Sequence, residues 1–170
     1  MSSARSFVPS PFSSLTVAAL GLALAACSDD AGDGGADASV SCVEATSHAD
    51  LDWIQDEIFE KGCSSFQSCH KGAARQAGGL NLEEGRSHAA LVGIPSTRFT
   101  TWQLVVPNQP AESYLMVALG QYPGPLEPRI GTMPFNSGLL CKEKRDAVER
   151  WILAGAPPEV DAVDAGVDAQ

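Results

Sequence analysis

Apolar positions along this chain recur with helical rather than strand spacing. Leu51, Ile54 and Ile58 fall at i, i+3 and i+7, with Phe59 beside them, which predicts an amphipathic helix. Ser47 is the expected N-cap of this helix, with Asp50 and Asp52 in the first turn, where the helix dipole favours negative charge. Gly62 suits the position just past its end. A second stripe, Leu140, Ala147, Val148, Trp151, Ile152 and Gly155, predicts a last helix over about 141–154, with Lys142, Lys144, Arg145 and Glu149 on its outer face.

The segments between are shorter. Ser87 can cap a helix over His88 to Val92, and Leu104-Val105-Val106 reads as an extended segment ended by Pro107. Pro110 and Glu112 fit the first turn of another helix, whose apolar face is Tyr114, Leu115, Val117 and Ala118, with Gly120 as its stop. Residues 121–139, rich in proline and glycine, form a long structured loop centred on Gly131-Thr132-Met133-Pro134. No alternating strand pattern appears, so the expected class is all-α.

The two ends read differently. Residues 1–26 resemble a secretory leader: Arg5 is its one charge, and Leu15 to Ala26 is a twelve-residue apolar run, short for a membrane span. The run ends in Leu24-Ala25-Ala26-Cys27, which resembles a bacterial lipobox. That resemblance implies cleavage before Cys27 and lipidation of its thiol. An ordinary leader with a cysteine at the cleavage site is the plainer reading. Ser28 at the following position implies sorting to the outer membrane, with the inner membrane the alternative. Residues 27–46 are small and acidic and read as a flexible tether, and residues 157–170 read as a disordered tail. One domain, 47–156, lies between them.

Charge narrows the partners. Loss of the leader removes Arg5 and takes the formal net charge from −10 to −11. Without a basic patch, nucleic acid is not an expected partner. No Ser-His-Asp order, paired-acid motif or phosphate loop points to an enzyme. Beyond Cys27 the cysteines are Cys42, Cys63, Cys69 and Cys141, an even number suited to an oxidising compartment and open to three pairings. Cys42 and Cys141 flank the first and last helices, and a disulfide between them is expected.

The chemistry concentrates in Gly62-Cys63-Ser64-Ser65-Phe66-Gln67-Ser68-Cys69-His70-Lys71-Gly72. A Cys-His pair with a cysteine upstream, just after a helix, resembles the haem-attachment site of c-type cytochromes. The usual site has two residues between the cysteines; this one has five. Positions i and i+6 on a helix differ by about 240°, against about 300° for i and i+3, so the local geometry must differ. Taken alone, the spacing also fits a Cys63–Cys69 disulfide, worth about 2 kcal/mol on the chain-entropy account. A zinc site built from Cys63, Cys69, His70 and one more cysteine is a further reading.

The order of motifs adds to this. A helix, then Cys-Cys-His, Gly78-Gly79-Leu80-Asn81-Leu82, Val105-Val106-Pro107-Asn108-Gln109-Pro110-Ala111-Glu112-Ser113-Tyr114-Leu115, Thr132-Met133-Pro134 and a helix ending Trp151-Ile152-Leu153-Ala154-Gly155-Ala156 resembles the cytochrome c-like lipoprotein domains common in myxobacteria and planctomycetes. The resemblance covers about residues 52–157. It implies a small helical cytochrome c-like fold with crossed first and last helices. It also implies haem c held through Cys63 and Cys69, His70 as proximal iron ligand and Met133 as distal one. The distal alternatives are His88 and His48, the latter expected in solvent. One-electron transfer to a redox partner protein, from a lipid-anchored position in the cell envelope, follows as the expected function. The other expectation is a haem-less domain of the same fold, stapled by disulfides and serving as a binding or structural module at the cell surface. Thioether bonds to haem and a Cys63–Cys69 disulfide exclude each other.

Overall fold

The structure, a computed structural model, describes residues 35–67, 69–72 and 77–160, all within one compact unit. The leader, Cys27 and residues 161–170 lie outside the described residues. What is described is mainly helical, in line with the expected class, and among the described residues only three isolated bridges stand in for strands: Val92 with Val105, Pro95 with Gln103, and Gln103 with Ser113.

Helix α1 runs over Gly35–Glu44 and is followed by a 3₁₀ turn at Ala45–Ser47. This corrects the reading of 27–46 as a tether throughout. Two contacts explain why so small and polar a segment is ordered: Cys42 is bonded to Cys141, and the Ser41 hydroxyl donates to the Glu57 carboxylate at 2.7 Å.

Helix α2 covers Leu51–Ile54 and continues as a wider π-helical stretch over Gln55–Cys63. Its N-cap is Asp50 rather than Ser47: the Asp50 carboxylate accepts from the Trp53 N–H at 2.9 Å, whereas the Ser47 hydroxyl turns back to the Glu44 carbonyl. Gly62 lies inside the helical stretch, not past its end, and Ser64 closes it. Leu51, Ile54, Gln55, Ile58 and Phe59 make one buried stripe. A buried glutamine on it is tolerated because its amide donates to the Leu82 carbonyl and the Glu60 carboxylate and accepts from the Ser87 hydroxyl.

Helix α3 spans Ser87–Leu91, a 3₁₀ turn spans Pro110–Glu112, α4 spans Tyr114–Ala118 and α5 spans Lys142–Leu153. Ser87 is buried inside α3, bonded to Gln55, and does not cap it. Residues 104–106 run extended beside the end of α3, with Val105 N–H on the Leu91 carbonyl at 3.1 Å. Gly120, at φ +71°, ends α4 as expected. Gly124 is required for another reason: a Cβ there would lie 2.7 Å from the methyls of Val117.

The core joins the two stripes that the sequence pattern predicts. Leu51, Ile54, Ile58 and Phe59 pack in one cluster with Val148, Trp151 and Ile152. The Trp151 indole N–H donates to the Pro157 carbonyl at 2.8 Å. The outer face of α5 is less solvated than its charges suggest. Lys144 donates to the Glu57 carbonyl at 2.8 Å and lies over the Trp53 ring. Arg150 donates to the carbonyls of Ala45 and His48. The packed fold also runs past residue 157, correcting the start of the tail: Glu159 is buried, with Ser87 beside it at 3.4 Å.

Candidate functional site

The π-helical end of α2 delivers Cys63 to the edge of the core, where it packs against the main cluster together with Leu80 and Met133. The five-residue spacing to Cys69 is taken up by a loop that folds back on the helix end. Ser64 N–H donates to the Phe59 carbonyl at 2.7 Å and Cys69 N–H to the Phe66 carbonyl at 3.0 Å. His70 N–H then donates to the Cys63 carbonyl at 3.0 Å. The extra residues are thus looped out, and Phe66 at their tip is exposed. On the far side of the site, Leu82 N–H donates to the His70 carbonyl at 2.8 Å, and the Glu83 carboxylate accepts from Gly72 N–H at 3.0 Å.

Cys63 and Cys69 are both free thiols. Burial, with the neighbouring Cys69 adding to it, pushes the Cys63 pKa up to about 12, so this sulfur is protonated at neutral pH. Burial also pushes the His70 imidazole below its ordinary value, offset in part by a hydrogen bond to the Leu80 backbone. A neutral imidazole is the form that binds metal. Its Nδ1 is buried and has no hydrogen-bond partner. An unpaired buried nitrogen costs about 1–3 kcal/mol, so it calls for a partner.

Met133 is half-buried and anchored through its backbone, its N–H donating to the Ala118 carbonyl at 2.7 Å behind α4. The other two histidines have different duties. His88 Nε2 is 3.0 Å from the Ala156 carbonyl and holds the chain after α5. His48 stacks on Trp53 with ring centroids 4.6 Å apart and pairs with Asp50 at 2.9 Å, so it is not simply solvated as expected.

The expected pairing of Cys42 with Cys141 is present, with a Cα–Cα distance of 6.2 Å. A Cys63–Cys69 disulfide is absent. Among the described residues, Cys63, Cys69 and His70 do not converge as a three-ligand cluster of the kind zinc takes. The donor types are those a c-type haem takes: two unpaired cysteines, an imidazole with one buried nitrogen unpartnered, and the thioether of Met133, which also packs against the core. Sequence reasoning located these residues but missed the backbone closure from His70 to Cys63, which depends on the course of the intervening loop.

No protein-family profile, curated protein or solved structure matches the chain. Among the described residues no helix is long and apolar enough to cross a membrane.

Proposed function

We propose that this chain is a lipid-anchored, cytochrome c-like electron-transfer protein. The observation that carries the reading is the His70 Nδ1, buried without a partner beside two free cysteines in a fold whose other two described cysteines, Cys42 and Cys141, are bonded to each other. Haem c would supply a one-electron redox centre. Cys63 and Cys69 would tether it covalently, His70 would bind the iron through its imidazole, and Met133 would supply the sixth ligand. A thioether ligand raises the reduction potential and suits electron transfer. The Leu80 backbone contact to the ring supports the role of His70, because a metal-bound histidine generally donates its second nitrogen to a carbonyl or carboxylate.

The test is expression in cells that carry a cytochrome maturation system, followed by an absorption spectrum of the purified chain. The reading expects a Soret band that His70→Ala abolishes. A parent chain and a His70→Ala variant with the same haem content would refute it.

The second reading is a haem-less module. It is favoured by the Cys42–Cys141 staple and by a core that closes without a cofactor, with Trp151, Phe59 and Met116 almost fully buried. On this reading the domain binds a partner or serves a structural role at the cell surface.

A further inference from the structure

The Cys42–Cys141 pair is not used by the site above, and a carboxylate stands beside it. Both Sγ atoms and a carboxylate oxygen of Glu143 lie within 4.8 Å of one another, all three residues half-buried. Glu143 makes no hydrogen bond or ion pair with the described residues. The neighbouring cations do not neutralise it, since Lys142 pairs with Asp146 at 2.5 Å and Lys144 donates to the Glu57 carbonyl. Cys141 is the N-cap of the twelve-residue α5, where free N–H groups favour a thiolate over a thiol.

We infer that reduction of the Cys42–Cys141 disulfide converts this staple into a site for a soft divalent cation such as zinc, with Glu143 as third protein ligand. Two thiolates and a carboxylate are a donor set zinc accepts, at about 2.3 Å to sulfur and about 2.0–2.2 Å to oxygen. The three donor atoms already lie within 4.8 Å of one another. The step needs a dithiol reductant. Two electrons break the S–S bond while the dithiol closes to its own disulfide, and its two protons pass to Cys42 and Cys141. Binding of the cation then releases both protons to solvent, and water completes the fourth position. The site would join α1 to the start of α5 as the disulfide does, so the domain keeps its staple in reducing surroundings when metal is present.

The experiment titrates cobalt(II), as a coloured probe for zinc, into the purified full-length chain before and after reduction. A phosphine serves as reductant, taking oxygen from water and leaving both thiols without competing for metal. Among the described residues only Cys63 and Cys69 are free in the oxidised chain, and with Cys27 replaced by Ser in every sample the increment on reduction reports on Cys42 and Cys141. The expected result is one further equivalent of cobalt with sulfur-to-metal charge-transfer absorption, weakened by about tenfold or more in Glu143→Gln. Far-UV circular dichroism is followed in parallel; if reduction loosens the helices, zinc should restore them. No additional equivalent, an equivalent that Glu143→Gln binds as tightly as the parent, or helix loss that zinc does not reverse would each overturn the inference.

Discussion

The backbone N–H of His70 donates to the carbonyl of Cys63 at 3.0 Å. Under the proposed function, this bond is what would let the unusual cysteine spacing serve a haem-type site. It brings the residue after the second cysteine back to the first, so the additional residues leave the site as an exposed loop instead of displacing His70 along a helix. The proposal then makes a distinction between the two thioethers. Cys69 precedes His70 directly, whereas Cys63 sits on the helix end, half-buried and protonated. Cys63→Ala should retain part of the haem and Cys69→Ala little, measured as haem per chain. Equal retention in the two variants would contradict this.

Met133 supplies a second prediction about the centre. Met133→Ala should leave the haem attached, lower its potential and admit an external ligand such as cyanide or imidazole. Redox titration and ligand-binding spectra check it. An unchanged potential with no new ligand access would remove Met133 from the iron.

Trp151 is fully buried between the stripe of α2 and the chain that follows α5, and its indole N–H is bonded to Pro157. Trp151→Ala should cost about 3–5 kcal/mol through loss of a large ring and the cavity left behind. Denaturant titration measures it, and a loss below about 1 kcal/mol would contradict the placement.

Glu57 predicts a pH dependence. Hydrogen bonds from Lys61 and then Ser41 hold its carboxyl below the ordinary value of 4.5. A group depressed in the folded state stabilises above its unfolded value and loses that contribution as the pH falls through its folded one. Glu57→Gln should therefore cost about 1 kcal/mol at pH 7 and less at pH 3, which lies below the unfolded value. Thermal melts at the two values decide it; the same loss at both would show that the effect is not ionic.

Much of the fold was legible in the sequence because two apolar stripes were strongly periodic. Leu51, Ile54, Ile58 and Phe59 met Val148, Trp151 and Ile152 as their spacing implied. Other features carried no periodic signal. Helix α1 has a composition typical of linkers and is held by Cys42 and Ser41, contacts made with residues far along the chain. The burial of Gln55 depends on Leu82 and Ser87, 27 and 32 residues away, and has no local signature. Lys144 read as part of a charged outer face and instead donates to the Glu57 carbonyl, while Arg150, which carried no signal, grips the backbone of Ala45 and His48. At the site, cysteine and histidine identities were readable at once. The free state of Cys63 and Cys69 and the unpartnered His70 Nδ1 belong to the folded loop and had no sequence signature.

The lipid anchor is tested outside the domain. Cys27→Ser should move the protein from the membrane to the soluble fraction. Unchanged partition in that variant would rule out anchoring through Cys27.

The most direct test of the central claim joins an absorption spectrum to the intact mass of chain made with a cytochrome maturation system. The account predicts a low-spin, six-coordinate haem spectrum and a mass increased by one covalently held haem. Absence of a Soret band, with peptide mapping that finds Cys63 bonded to Cys69, would contradict it and leave the haem-less module in its place.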